Sequence, residues 1–576
     1  MFAGPLVVRE LITSPRNVKH FGLRAGYVAI LAILLQTSAL TTFESVITSQ
    51  VGDVARFGSF IFGLMCAVQL VVVLAMSLIL SAGSVAQEKD KRTLLLLLMT
   101  DLRTTELVVG KTLASLLPVF VMIGVSIPVM CLLRLLGGIT LNQILCFELT
   151  CLATSLVAGS WGTLVGYWRE KTFQILAMTF MGAGLFVGVI EILSALTAGT
   201  TLGTWIACAN PFRVLSSVLN PLSVSTGIGA QTAFGMSLWL AVAVILWTIA
   251  CRNIRIWNPS RRLHIQQEED SAEATADESA REQAARKVWD WPIIWREMNT
   301  QAYGRKVGLI KAGYFLLAVF CILYANWSPA DAPLVMGVIS VEGFVFVVLA
   351  IVGLILINAQ AVTALTSERD GQTLELLLVT EISAKEFIFG KLGGVLFNTK
   401  EVIIVPVLFA ITLFARGFVG GEGLVFLLIG FLVLVMFAAM LGLHSALSFH
   451  ISRSAILNSL GTMFLLFVGI FICMILMVEA RTSFILQLPA FGVFICGGSL
   501  ALWSSLTHRV PSQALTWGAV TLPFLTYYAI VSFLLDDSFA SFAAITVTYG
   551  FTTLAILVPA ISAFDVALGR TTIDRA

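Results

Sequence analysis

Charge is scarce in this chain. Asp, Glu, Lys and Arg make up 12% of its 576 residues, against 58% hydrophobic residues and a mean hydropathy of +0.95. A soluble chain of this length has nowhere to put so much apolar surface, so a soluble globular class is excluded and a multi-pass membrane class is expected. Cysteine is sparse too. The nine cysteines lie mostly in or beside apolar runs and none forms a Cys-x-x-Cys pair, which makes them small packing residues rather than a disulfide or metal framework. Of the five histidines, His444 and His450 are six residues apart and do not share a helical face, so no metal site is assigned. No Ser/His/Asp set and no paired catalytic carboxylates emerge, so no catalytic or cofactor-binding residue is named. The net charge of +2 points neither toward nor away from nucleic acid, and no nucleic-acid partner is expected. The first apolar run starts near Leu23 with no convincing cleavage site, which does not fit a signal peptide.

What the chain has is long apolar runs. In lipid every backbone polar group must be satisfied within its own segment, so these runs predict helices. They fall near 25–43, 59–84, 108–133, 142–167, 173–197 and 235–251, then near 311–327, 334–362, 389–415, 423–448, 455–478, 484–505, 513–535 and 541–563. The expected fold is an all-α polytopic integral membrane protein with about fourteen spans, twelve at the fewest. With the N-terminus in the cytoplasm and alternating sides, only Arg56, Arg134, Arg213, Arg416 and Arg481 of the 35 basic residues fall outside. That bias orients both termini to the cytoplasm.

The chain also repeats itself. Glu88-Lys89-Asp90-Lys91-Arg92-Thr93-Leu94 through Thr100 matches Glu368-Arg369-Asp370-Gly371-Gln372-Thr373-Leu374 through Thr380 at a shift of 280, and the match continues through Glu106/Glu386 and Gly110-Lys111/Gly390-Lys391. Pro5 to Glu10 matches Pro292 to Glu297 at a shift of 287. Each half thus opens on a short mixed segment, expected to lie in the membrane interface with its apolar face in lipid. An even number of spans per half makes this a parallel repeat. The halves read as 1–251 and 292–576, the second carrying an extra pair of spans near 484–535. Residues 252–291, basic and then acidic and alanine-rich, form a charged cytoplasmic linker. The loop from Gly199 to Gly235, with Asn210-Pro211 and Asn220-Pro221, has room for a short surface or re-entrant helix.

The duplicated motif predicts a short amphipathic helix between the second and third spans of each half. Leu94, Leu97 and Leu98, like Leu374, Leu377 and Leu378, fall at i, i+3, i+4 and make one apolar face. Glu88, Asp90, Glu368, Arg369 and Asp370 would set docking electrostatics, with Thr93, Thr373 and Glu375 beside them. Gly110 and Gly390 are places for the following helix to bend. The pattern Glu-x-x-x-x-Thr-Leu-Glu-x-Leu-Leu-x-Thr between the second and third helices of a six-helix unit resembles the permease subunit of type-2 ABC exporters. The second copy fits better; the first has Lys91-Arg92 for Gly371-Gln372 and Leu95 for Glu375, and Asp101 and Glu381 replace the family's proline. The resemblance implies two fused permease units, coupling helices that dock separate cytoplasmic ATPase subunits, export of an unidentified substrate, and the plasma (inner) membrane as location. ATP and Mg would sit on the partner. Gly110-Lys111-Thr112 imitates the end of a P-loop, but Thr105 stands where the first glycine belongs. The chain itself is not expected to be an enzyme.

Ionisable residues inside spans are the remaining candidates, since charge in lipid is expensive. Glu191, Lys400 and Glu401 could line a polar pathway, with Glu342 near the start of its span. The plainer reading has Lys400 snorkelling, Glu401 paired with a neighbouring helix and Glu342 at the interface. Two alternatives stay open: an ion-gradient-driven transporter, which needs midplane carboxylates and broken helices, and a scaffold that recruits an ATPase without transport.

Overall fold

The computed structural model describes residues 8, 12, 18–43, 51–197, 199–221, 228–258, 289, 291–299, 307–327, 334–335, 339–371, 374, 382–480, 484–508 and 512–567. Among them there is no strand, only one isolated antiparallel bridge between Val335 and Ile339. Thirteen helices are long and apolar enough to cross a membrane, and a bent pair makes a fourteenth if it is counted as one span. The chain is therefore an all-α, multi-pass membrane protein.

The first half contains α1 (Val18–Phe43), α2 (Val51–Asp90), the short α3 (Thr93–Leu98), α4 (Thr104–Leu133), α5 (Leu141–Trp168), α6 (Thr172–Leu196), the short α7 (Thr201–Ala207) and α8 (Pro211–Leu219), and α9 (Ile228–Trp257). The loop that had room for a surface helix holds two. Asn210 caps α8, its side chain accepting from the Phe212 N–H at 3.0 Å, and Pro211 starts the helix where its missing N–H costs nothing. α9 runs to Trp257, so the first residues assigned to the linker continue the helix; residues 259–288 lie outside the described residues.

The second half contains α10 (Pro292–Asn299), α11 (Val307–Trp327), α12 (Val341–Asp370), α13 (Ala384–Asn398), α14 (Lys400–Ala415), α15 (Gly421–Ser448), α16 (Ser452–Ala480), α17 (Phe484–Leu506), α18 (Gln513–Leu534) and α19 (Ser538–Ala567). The chain turns by 58° between α13 and α14, at Thr399. The bend expected at Gly390 is absent. Gly390 and Gly394 instead let α10 approach, since an added Cβ would come within 2.7 Å of Ile293 and 2.5 Å of Glu297 respectively. α4 likewise runs unbroken through Gly110. Small residues one turn apart are how helices in lipid pack closely. For the same reason Ile293 of α10 is buried against protein, where the sequence suggested an apolar face in lipid.

Helix neighbours recur in the two halves. In the first, α2 packs on α4, α5 and α6, and α5 packs on α4, α6 and α9; in the second, α12 packs on α13, α14, α15 and α16, and α15 packs on α13, α14, α16 and α19. The seam is reciprocal as well. α1 and α2 pack on α16, while α11 and α12 pack on α6. Phe180 of α6 and Phe464 of α16 meet in that seam with ring centroids 6.0 Å apart. The hairpin α17–α18, which has no counterpart among the described residues of the first half, packs on α16, α19 and α1.

Candidate functional site

The duplicated charged motif ends two long helices, and its residues turn inward. Successive helical residues point about 100° apart, so three in a row can reach three different neighbours. Glu88 pairs with Lys111 of α4. Lys89 donates to the carbonyls of Tyr167 at 2.7 Å and Arg169 at 2.8 Å, capping the end of α5 where the helix dipole favours a cation. Asp90 accepts from the Thr172 hydroxyl, the first residue of α6, at 2.6 Å. Glu88, Lys89 and Asp90 thus fasten the end of α2 to α4, α5 and α6.

The same clamp stands 280 residues later. Glu368 pairs with Lys391 at 2.7 Å. Arg369 donates to the carbonyls of Ala446 at 2.8 Å and Phe449 at 2.5 Å, capping α15. Asp370 accepts from Ser452, the first residue of α16. Among the described residues six candidate spans separate the two clamps, an even number that places both at the same end of the bundle. The second clamp is larger. Lys391, 2% exposed, also pairs with Glu297 of α10 at 2.6 Å, and Arg296 bridges Glu297 at 3.1 Å and Glu368. Burial by itself pushes the Glu297 carboxyl up, but Lys391 and Arg296 outweigh it and hold the carboxyl below its usual range.

The short helix α3 follows a reversal in which Arg92 takes a left-handed backbone (φ 58°), a conformation that disfavours side chains. Leu94 is buried and Leu97 and Leu98 are half-buried, packed with Leu107, Val108, Leu164 and Ile254 of the bundle. The face that sequence spacing assigned to docking therefore turns inward. The exposed face is Leu96 (65%) and Met99 (81%), flanked by the exposed Lys91 and Arg92. Thr93 donates back to the Glu88 carbonyl at 3.3 Å. In the second copy Leu374 is half-buried in the core, and Thr373, Glu375, Leu377 and Leu378 lie outside the described residues. Glu106 and Glu386, paired in the repeat, both accept from the N-cap backbone N–H of the next helix, from Arg103 at 3.3 Å and Ser383 at 3.0 Å, and Ser383 returns a bond to complete a capping box.

Inside the spans, Glu191 forms a forked pair with Arg213 of α8 at 2.9 and 3.0 Å, with Asn210 as a further donor at 3.3 Å. Glu401, just past the bend, pairs with Lys311 of α11 at 2.7 Å, and Lys400 lies over the Phe397 ring at 4.0 Å. Glu342 sits in the first turn of α12, where a carboxylate suits the helix dipole. One carboxyl escaped the sequence reading. Glu148 of α5 is buried and accepts from Gln69 of α2 and Ser126 of α4, both at 2.9 Å. Positions 280 residues on hold Leu428, Leu349 and Pro406, so this network belongs to one half only. Lys111, Lys391, Thr172 and Ser452 were also missed as partners, although their 280-residue spacing was the available signal. Among the described residues no group of three or more His, Cys, Asp or Glu could hold a metal. No family model matches the chain, and no curated protein matches it either.

Proposed function

We propose that the chain is the membrane-spanning component of an ATP-driven exporter, with two permease units fused in tandem and separate ATPase subunits docked at the clamp end. The observation that carries this reading is the duplicated clamp, Glu88–Lys111 with Asp90–Thr172 and Glu368–Lys391 with Asp370–Ser452. The recurrent helix neighbours and the reciprocal seam also support a parallel repeat of units 1–251 and 292–576.

Each clamp ties the end of one long helix to the three helices beside it. A push on α3 would then reach its unit as a rigid body instead of bending one helix. The units would rock at the seam, separating Phe180 from Phe464 and opening a route between them. ATP and Mg would be held by the partner, and this chain would carry no hydrolytic step. The clamp end and both termini would face the cytoplasm of a cell whose plasma membrane holds the protein.

The bend at Thr399 beside Glu401, together with the buried Glu148, favours one other reading, a transporter driven by an ion gradient. A scaffold that recruits an ATPase would keep the clamps and need neither. The deciding experiment is purification of the tagged chain in mild detergent, with co-purifying proteins identified by mass spectrometry, beside a Leu96→Asp/Met99→Asp variant. A P-loop ATPase present with the intact chain and lost with the variant supports the ATP-driven reading. Its absence under several extraction conditions overturns that reading in favour of the gradient-driven one.

A further inference from the structure

We propose that the first half binds one acyl chain of a bilayer phospholipid in an apolar cavity between α6 and α9. The cavity has a volume of about 430 Å³, which lies within the roughly 300–1,000 Å³ of sites that bury small molecules. α6 and α9 both pack on α5 without an extensive contact with each other, and the gap between them is the cavity. Leu78, Val157, Val187, Val242 and Leu246 give it a hydrocarbon wall. Phe186 and Val189 at its rim are exposed, so it opens on the outer surface of the bundle, where the surrounding medium is lipid.

The walls are built rather than left over. Trp161 and Trp239 line the cavity, and each indole N–H is pinned, to the Thr179 carbonyl at 3.1 Å and the Ala209 carbonyl at 3.0 Å. Gly182 makes room for the first ring, because an added Cβ would come within 2.3 Å of it. Pro211 of α8 closes one end, and the Glu191–Arg213 pair fixes α8 there.

The second half identifies what belongs in such a gap. There α16 and α19 stand where α6 and α9 stand, and the chain covers the gap with its own hairpin α17–α18, burying Leu502, Leu506, Leu515 and Leu522. Phe437, at the position matching Val157, fills further space against Tyr549, ring centroids 5.1 Å apart. Among the described residues the first half has only the short α7 and α8 at this point of the sequence, too short to cross a membrane. A narrow hydrocarbon slot facing lipid, with rigid aromatic walls and no cover among the described residues, fits an acyl chain. The inference stands whether or not ATP drives the protein.

The test uses the full chain in phosphatidylcholine vesicles that contain phosphatidylcholine with a photoreactive diazirine in one acyl chain. Labelled residues are mapped by mass spectrometry. Labelling of Phe186, Val187, Val242 and Leu246 is expected to exceed that of the lipid-facing Val244 and Ile245 severalfold. It is expected to fall to their level in Ala183→Trp, which fills the cavity, while Val244 and Ile245 are unchanged. Val242→Phe serves the same purpose if the tryptophan variant does not fold. Equal labelling of lining and outer face in the intact chain overturns the proposal, as does labelling that neither filling variant reduces. Labelling by a photoreactive free fatty acid but not by the phospholipid overturns the phospholipid assignment.

Discussion

Asp90 and Thr172 lie 2.6 Å apart at the junction of α2 and α6, and Asp370 and Ser452 repeat that bond 280 residues later. A hydrogen bond to a carboxylate contributes about 1.5–3 kcal/mol. Thr172→Val is therefore expected to destabilise the first half by that order and Ser452→Ala the second, measured by thermal unfolding in detergent. Two unaltered unfolding midpoints would show that the clamps do not hold the units together.

Lys391 is the centre of a buried ionic cluster, and removing it leaves Arg296 as one cation against two carboxylates. Lys391→Met is expected to cost about 3–5 kcal/mol, because Glu297 and Glu368 lose a shared cation. Adding Glu297→Gln and Glu368→Gln should recover a large part of the loss. A triple variant no more stable than Lys391→Met would mean that the cost lies in packing, not in stranded charge.

Acid should release α10 late. The folded Glu297 carboxyl lies below its ordinary range, so its contribution is complete above about 4.3, the unfolded value, and is lost as pH falls through the lower folded value. α10 is expected to stay docked at about pH 5 and to detach only in stronger acid. Amide exchange of residues 293–298 across a pH series, corrected for intrinsic rates, reads this directly. Detachment already near neutral pH would contradict it.

The two faces of α3 should separate folding from docking. Leu94→Asp places a charge in a packed cluster and is expected to abolish a monodisperse chain on size exclusion. Leu96→Asp with Met99→Asp changes exposed residues and should leave elution unchanged while ATPase recovery falls. If both variants elute and bind like the parent, α3 neither anchors nor docks.

Glu148 can be tested by shape against polarity. Glu148→Gln keeps one accepting oxygen for Gln69, its NH2 can donate to the Ser126 hydroxyl, and it should fold, whereas Glu148→Leu leaves both buried donors with a lost partner, at a cost of about 1–3 kcal/mol. Equal melting temperatures for the two variants would remove this network from the account of stability.

Much of this architecture could be read from the chain alone, because runs of some twenty apolar residues admit few other solutions in lipid. All fourteen runs correspond to helices or to the bent pair. The inward turn of Leu94, Leu97 and Leu98 was not legible, because an apolar face at i, i+3, i+4 suits a partner protein and the chain's own bundle equally, and periodicity gives no direction. Nor was the bend at Thr399, which falls in a polar Asn-Thr-Lys-Glu stretch and not at the glycine that seemed the natural hinge. Glu88 and Asp90 looked like surface charges because their partners, Lys111 and Thr172, lie 23 and 82 residues away. Glu148 is a lone acid in a long apolar run, and only the fold brings Gln69 and Ser126 to it.

The reciprocal seam sets an order of assembly. α1 leaves the ribosome long before α16 and α17, against which it packs. At roughly 5–20 residues per second, α1 waits tens of seconds in the bilayer for these partners. α6 likewise waits for α11. The first half alone would present two unmatched flanks to the membrane, so quality control that recognises such flanks would act on truncated chains long before any question of transport arose.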